Sequence, residues 1–142
     1  MKRINIIVLS TVFLLCGLTI AFAAPVPVEK EKDIFSLSEE YIESTGMAVA
    51  PKGMQGAQGR ALARRGAIVD LQRNLLEYLK GVQIDARTTM DEFMADDRVR
   101  SEISGAIKNV ELLKGEWDGE AYTVTGRLKL VQIIGIVEKY KK

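Results

Sequence analysis

The stretch GMQGAQGRALARRGAIVDLQRNLLEYLKG, residues 53–81, decides the fold, because it is the longest segment of the chain with helical periodicity. Its pattern predicts a helix over residues 57–80 with one apolar face and a charged face opposite. Gly81 directly follows the last predicted turn, where a left-handed C-cap would end the helix. The apolar face is predicted to consist of Ala57, Ala61, Ile68, Val69, Leu75, Leu76 and Leu79.

Three evenly spaced glycines, Gly53, Gly56 and Gly59, precede this helix. A helix N-terminus after a strand can bind an anion, so a phosphate site is one interpretation. However, the spacing G-x-x-G-x-x-G matches neither the dinucleotide fingerprint nor a P-loop. A flexible entry into the helix is the favoured interpretation.

Three arginines, Arg60, Arg64 and Arg65, follow the glycines. Arg65 projects near the middle of the predicted apolar face, where a guanidinium must reach solvent or meet a carboxylate. We expect Arg65 to pair with an acidic residue of the same domain, and a ligand site is the alternative.

The segments on both sides of the helix supply the rest of the fold. Residues 41–50 predict a strand with Tyr41, Glu43, Thr45, Met47 and Val49 on one face. The later elements are predicted to be a strand over residues 82–88, a helix over 98–107, a hairpin of strands 110–117 and 120–130 around Asp118 and Gly119, and a terminal helix over 131–142 that packs on the sheet. The fold class is therefore α+β, a single small domain in the order β-α-β-α-β-β-α, with an antiparallel or mixed sheet of about four strands and helices packed on one face.

Two further features have a structural and a functional interpretation. An acidic cluster within residues 90–97 comprises Asp91, Glu92, Asp96 and Asp97. It could bind a hard cation, but without EF-hand spacing a solvated loop is favoured. Trp117 beside the hairpin turn could contact a partner, although a cross-strand role that covers the hairpin is favoured.

The N-terminus has the features of an export signal. Lys2 and Arg3 precede an apolar run, and Ala21-Phe22-Ala23 provides the small residues that signal peptidase requires. We expect a signal peptide over residues 1–23 with cleavage near Ala23, which places the chain in the periplasm or at the outer-membrane periphery. The alternative is an uncleaved anchor, in which case this segment would be the chain's membrane contact.

The remainder divides into a linker over residues 24–38 and one domain over residues 39–142. The linker prediction follows from two prolines and a charged run, although Ile34, Phe35 and Leu37 could dock on the domain. A domain of about 100 residues can bury a core of its own.

The composition excludes many kinds of chemistry. The chain has no histidine, and its one cysteine, Cys16, lies in the export signal and follows Leu15, which is not the small residue that lipidation requires. Zinc sites of the usual kind, thiol catalysis and histidine acid–base catalysis are thereby excluded. We therefore predict no catalytic, metal or cofactor-binding residues, and the balance of 20 basic and 19 acidic residues argues against nucleic acid.

Three runs carry a resemblance to a known family. They are ALARRGAIVDLQRNLLEYLKGVQIDARTTM (residues 61–90), DDRVRSEISGAIKNVELL (96–113) and WDGEAYTVTGRLKL (117–130). Together they resemble the LPP-twenty lipoprotein family, which is similar to the N-terminal domain of flagellar assembly protein T. The resemblance implies a small, non-enzymatic domain of the bacterial cell envelope, often associated with the outer membrane.

These observations lead to two classes of functional hypothesis. The first is a secreted cell-envelope protein that acts as a protein-binding or assembly module, with a component or assembly factor of the flagellar motor outer ring as its alternative. Its partners would be envelope or flagellar proteins, or further copies of the chain. The second class is an enzyme that uses carboxylates and arginines on a phosphorylated or glycan substrate, and it predicts a pocket where Arg64 or Arg65 meets an acidic residue.

Overall fold

One long helix and one later hairpin are the main elements of the described part of the chain. The computed structural model describes Ile34, residues 41–54 and residues 56–141. The elements in chain order are β1 (Tyr41–Val49), α1 (Gly56–Lys80), α2 (Met90–Phe93), α3 (Asp97–Lys108), β2 (Glu111–Trp117), β3 (Ala121–Lys129) and α4 (Leu130–Tyr140). The α+β class is confirmed, and the order of elements in the described part is β-α-α-α-β-β-α, because the predicted second strand is absent and the short helix α2 follows that segment.

The sheet places β3 between β1 and β2, and both neighbours are antiparallel to it. Among the described residues it has three strands, fewer than the four expected. The register between β2 and β3 shifts between Leu112 and Lys114, which leaves Leu113 as the extra residue of a bulge. β1 and β2 are consequently the two edge strands.

Residues 82–88, which the sequence predicted as a strand, form a loop. The Asp85 carboxylate accepts hydrogen bonds from the backbone N–H groups of Arg87 and Thr88, both at 3.0 Å. Such a local turn competes with a strand ladder for the same backbone groups. Val82 and Ile84, whose spacing suggested a strand, are both buried and pack this loop against the core.

α1 crosses one face of the sheet and lies chiefly over β1. Its buried residues recur at every fourth position, and they are Gly59, Ala63, Ala67, Leu71, Leu75 and Leu79. Small residues in the first half of this stripe let the two backbones approach closely. At Gly46 of β1, a Cβ atom would overlap the carbonyl oxygen of Ala67 and the backbone nitrogen of Leu71.

The predicted apolar face of α1 is only partly correct. Leu75 and Leu79 are buried, but Ala57, Ala61 and Val69 are exposed. A spacing of four residues is longer than the 3.6-residue turn, so the buried stripe rotates around the helix along its length. A single straight sector therefore could not describe it.

α1 also ends differently from the prediction. Gly81 does not adopt the left-handed conformation that the predicted C-cap needs, since the glycines with positive φ in the described part are Gly53, Gly56 and Gly119. Instead the N–H of Val82 donates to the Leu79 carbonyl at 3.0 Å. This bond closes the last turn and satisfies one of its carbonyl groups.

The predicted hairpin is confirmed, with its turn one residue later than expected. The N–H of Asp118 donates to the carbonyl of Ala121 at 3.2 Å, so Gly119 and Glu120 are the central residues. Gly119 has φ of 112°, a conformation that favours glycine. The Asp118 carboxylate accepts the N–H groups of Ala121 and Glu120, at 2.7 and 2.9 Å, and these bonds lower its pKa.

The C-terminal part is a pair of helices. α3 confirms the helix predicted over residues 98–107. α4 packs against α3, not on the sheet as predicted, because α1 occupies the covered sheet face. Glu102 of α3 accepts hydrogen bonds from Lys139 Nζ at 2.6 Å and from the Tyr140 hydroxyl at 2.8 Å, which lower the pKa of Glu102.

Most of the N-terminal predictions concern residues that the structure does not describe. The predicted signal peptide (1–23) and all of the predicted linker except Ile34 lie outside the described residues. Ile34 is fully buried and its N–H donates to the Gln83 carbonyl at 2.8 Å, so at this position the chain packs on the domain. Within the described part, no helix has the length and apolar character to cross a membrane.

Candidate functional site

The two edges of the sheet are treated differently by the rest of the chain. At β1, the N–H of Met47 donates to Asp70 Oδ2 at 3.0 Å, and Asn74 Nδ2 donates to the carbonyl of Thr45 at 2.9 Å. Asp70 and Asn74 are four residues apart on α1, so both face this edge. They bond the backbone groups that a further strand would need, and they close the middle of the β1 edge.

The β2 edge has no such contacts. Among the residues that the structure describes, only β3 hydrogen-bonds the backbone of β2. Hydrogen-bonded and non-hydrogen-bonded pairs alternate in an antiparallel ladder. Because Asp118 bonds Ala121, this alternation directs the N–H and C=O groups of Gly115 and Trp117 outward. β2 therefore presents backbone donors and acceptors along its outer side.

Exposed apolar side chains accompany this edge. Leu112 and Leu113 of β2 are 41% and 44% exposed, although they are large apolar residues within a sheet strand. The bulge at Leu113 interrupts regular geometry there. The regular part of the edge therefore extends from Lys114 to Trp117.

A groove runs beside this edge on the side of the sheet where α1 packs. It lies between α1 and β2, because α1 lies over β1 and leaves this side of β2 uncovered. Its volume is about 610 Å³ near the start of α1, and it continues toward the bulge of β2. Its wall and floor in the wider part include Ala57, Arg60, Ala61, Arg64, Trp117 and Tyr122. The groove thus joins an aromatic and aliphatic floor to two arginines.

Tyr122 of β3 reaches across β2 in this groove. Gly115 lies beneath its ring, since a Cβ atom at Gly115 would be 2.7 Å from the Tyr122 hydroxyl oxygen. Trp117 packs next to the same ring, with centroids 6.4 Å apart and an angle of 33° between the planes. The predicted cross-strand role of Trp117 is confirmed, and Trp117 also lines the groove.

The charge of the groove is positive. Arg60 and Arg64 lie four residues apart on the exposed flank of α1, and within the described part of the chain neither has an ion pair or a side-chain hydrogen bond. The first turn of α1 contains no acidic residue, so the helix dipole adds partial positive charge nearby. No carboxylate lines the two described parts of the groove that Arg64 borders.

The glycines before α1 have backbone roles. Gly53 and Gly56 have φ of 82° and 76°, which favour glycine. Gly59 is buried where a Cβ atom would overlap the Met54 carbonyl. These requirements explain the even spacing without a phosphate, and no described feature adds a phosphate site to it.

Arg65 does not occupy the position that the sequence predicted. It is exposed, away from the buried stripe of α1, and among the described residues it forms no ion pair. The expected pairing with an acid of the domain is therefore wrong for the described part. Its guanidinium needed no partner because the rotation of the buried stripe moves this position into solvent.

Two residues of the acidic cluster, Glu92 and Asp96, cap helices. Glu92 and Thr89 form a reciprocal capping box at α2, a helix that the sequence analysis did not predict. Asp96 caps α3 by accepting the N–H of Arg98 at 2.8 Å, and Asp97 lies 3.4 Å from Arg100. In the described residues, no group of three His, Cys, Asp or Glu side chains could hold a metal ion.

The sheet face opposite α1 is covered by no described element. Met47 and Val49 are 58% and 64% exposed on it. Arg127 donates to Glu111 at 2.9 and 3.2 Å and lies 4.3 Å from the ring centroid of Tyr41. The hydrogen bond from Arg127 lowers the pKa of Glu111. Arg127 on this face thus has an ion-pair partner, unlike the arginines of the groove.

Two features of this surface are not predicted by the sequence. The closing of the β1 edge by Asp70 and Asn74 depends on how α1 crosses the sheet. The position of Tyr122 over Gly115 depends on the register between β2 and β3. A glycine inside an alternating strand is the one sequence signal that could have suggested a close approach.

Comparisons with known proteins identify no relative whose site could be compared with this one. No protein-family model matches the chain, and no curated protein matches it. The function of the β2 edge and of the groove is therefore inferred from their own residues.

Proposed function

We propose that this chain is a non-enzymatic protein-binding module of the bacterial cell envelope. A partner polypeptide contributes an extended segment that adds to β2 as a further strand. The observation that carries this proposal is the contrast between the edges, because Asp70 and Asn74 bond the β1 edge while no described residue bonds the outer side of β2.

The chemistry of strand addition fits the regular part of β2. The outward N–H and C=O groups of Gly115 and Trp117 provide main-chain hydrogen bonds that do not depend on the partner's sequence. The exposed Leu112 and Leu113 add apolar area that a partner can bury. Affinity would come from the backbone, and selectivity from the neighbouring groove.

An enzyme is less well supported by the same geometry. That hypothesis requires Arg64 or Arg65 to meet an acidic residue in a pocket. Arg65 is exposed, and Arg64 borders apolar and aromatic groups in the described groove. The lack of histidine, and of cysteine outside the export signal, further narrows the available acid–base and nucleophilic groups.

The resemblance to the LPP-twenty family supports the cellular setting of the proposal. It implies a periplasmic or outer-membrane-associated protein, which agrees with the export signal and cleavage expected near Ala23. Its flagellar relatives make the motor outer ring the alternative setting for the same edge.

The proposal is tested by cross-linking in cells that express the full chain. A photoreactive benzophenone amino acid is placed at Leu113 on the β2 edge, and in a second variant at Val69, which is exposed on α1. We expect adducts with another polypeptide from position 113 and none from position 69.

A pair of substitutions at Gly115 separates strand addition from general contact. G115P removes the outward N–H, whereas G115A retains it and adds the same Cβ atom beneath Tyr122. Adducts from position 113 should persist in G115A and disappear in G115P. Equal adducts in both variants, or adducts from Val69 of equal strength, would contradict strand addition.

A further inference from the structure

We infer that the segment added to β2 is acidic, and that one of its carboxylate side chains binds Arg60, Arg64 and the hydroxyl group of Tyr122. This inference rests on the proposed strand addition and names the chemistry of the partner. It concerns the side of β2 that faces the groove.

The arginines provide the charge. Arg60 and Arg64 share one flank of α1, and both border the part of the groove that contains Trp117 and Tyr122. Since no described acid pairs with them, a partner carboxylate would not have to displace an internal ion pair. Guanidinium and carboxylate groups form short, charge-assisted hydrogen bonds, often in pairs.

Tyr122 provides a neutral donor at the same place. No described residue hydrogen-bonds its hydroxyl, and no buried polar atom of the described side chains lacks a partner, so this hydroxyl contacts solvent. It lies over Gly115, whose backbone faces the incoming strand. Alternate side chains of an added strand would point toward it.

The two faces of β2 differ in the charged groups beside them, and so in the side chains that they would favour on an added strand. On the open face, Lys114 Nζ lies 2.7 Å from Glu116 Oε1, so that face already has both signs of charge. On the groove face, β2 itself contributes Leu112, Gly115 and Trp117, which pair with residues of β3 that face α1. Of the two faces of β2, the groove face is therefore the one bordered by arginines for which the described residues provide no ion pair.

The same distribution argues against a second copy of this chain as the occupant. If β2 paired with β2 of another copy, it would bring Leu112, Gly115 and Trp117 to the groove, none of which has a carboxylate. It would also place the arginines of both copies on one side of the joined sheet, where like charges repel. An acidic segment from a different polypeptide satisfies the groove better.

The test uses peptide probes with the chain purified from the envelope in the form that the cell makes. The probes are an alternating Glu-Val peptide and an alternating Lys-Val peptide, both with blocked termini. Trp117 is the one tryptophan of the chain, so its fluorescence reports binding at the groove directly. We expect the Glu-Val peptide to bind and the Lys-Val peptide to bind at least about tenfold more weakly.

Charge reversal provides the matched variants. R60E/R64E should weaken the Glu-Val peptide by about tenfold or more and favour the Lys-Val peptide. R73E changes an exposed arginine elsewhere on α1 and should leave both affinities unchanged. Y122F, which keeps the ring but removes the hydroxyl, should weaken the Glu-Val peptide by a smaller factor. Thermal unfolding of each variant shows whether it is folded.

Amide hydrogen exchange distinguishes failure of the inference from failure of strand addition. Protection of the Gly115 and Trp117 amides by both peptides alike, with no effect of R60E/R64E, would retain strand addition and overturn the acidic partner. Quenching of Trp117 without protection of these amides would overturn the strand geometry as well. Concentration-dependent protection without any peptide, together with a dimer by light scattering, would identify a second copy as the occupant.

Discussion

β1 and β2 are both edge strands of one small sheet, but α1 protects only one of them. Asp70 and Asn74 reach the outward backbone groups of β1, whereas the outer side of β2 has no described contact. An unprotected edge is a template for pairing with another chain, and proteins usually block it. Because one edge is blocked and the other is not, a partner strand can add at β2 but not at the middle of β1.

The position of α1 explains why the open edge and the groove occur together. Glycine and alanine residues draw the first half of α1 onto β1, where Gly46 lets the two backbones touch. A helix held so closely over β1 cannot also cover the groove face of β2. The contacts that close one edge therefore leave the other exposed.

The largest expected effect is at the contact that sets this geometry. G46A would place a Cβ atom against backbone atoms of Ala67 and Leu71, which cannot move as a side-chain tip can. We expect the free energy of unfolding to fall by about 3 kcal/mol or more. Denaturant unfolding followed by circular dichroism measures the loss.

Gly105 provides the control for that substitution. It lies within α3, and a Cβ atom there would meet nothing within 4 Å. G105A should stabilise the chain, by up to about 1 kcal/mol, because alanine is the better helix former. Equal stability of G46A and the unchanged chain would show that α1 does not lie as close to β1 as described.

A smaller effect is expected from opening the β1 edge. D70A/N74A removes the acceptor for the Met47 N–H and the donor for the Thr45 carbonyl. Each lost bond should cost about 0.5–1.5 kcal/mol, since water can replace it at this exposed edge. Amide exchange at Met47 should accelerate, and the chain should self-associate as its concentration rises.

R73A tests whether that result is specific to the edge. Arg73 is an exposed residue of the same helix, between Asp70 and Asn74, and it has no described partner. It should change neither the exchange of the Met47 amide nor the association state. If D70A/N74A stayed monomeric with an unchanged Met47 amide, the difference between the two edges would lose its basis.

Much of the fold was predictable because its signals are local. The alternation that defines the two faces of β1, the turn chemistry at Gly119 and the apolar spacing of α3 are each visible within a few residues. The strand predicted over residues 82–88 was wrong, because the Asp85 side chain accepts hydrogen bonds from the backbone N–H groups of Arg87 and Thr88. The predicted apolar face of α1 was only partly correct, because the buried residues of the helix recur at every fourth position and so rotate around it.

The candidate site was harder to predict because it is a property of the packed molecule. Arg60, Arg64 and Trp117 were identified in the sequence, but nothing there places the arginines beside Tyr122. Asp70 carries no local signal for an edge contact, and only the crossing of α1 over β1 brings it to the Met47 amide.

The pH dependence of the hairpin tests what holds β2 in register. Hydrogen bonds from the N–H groups of Ala121 and Glu120 lower the pKa of Asp118 in the folded chain. Its contribution to stability is therefore present above the unfolded pKa, about 4, and is lost as pH falls through the lower folded value. D118A should be less stable than the unchanged chain at pH 7, and the gap should close in acid. A gap that persists in strong acid would mean that the carboxylate does not hold this turn.

The smallest effect is expected on β2 itself, and it tests the open edge most directly. Lys114 and Glu116 form an ion pair on β2 whose side chains are 65% and 63% exposed. Such pairs contribute little, so K114A should change the free energy of unfolding by less than about 0.5 kcal/mol. K80A removes a pair with Glu77 on α1, in which the Lys80 side chain is 37% exposed, and should also have a small effect. A loss above about 1.5 kcal/mol for K114A alone would mean that β2 is covered in solution, and the two edges would then be alike.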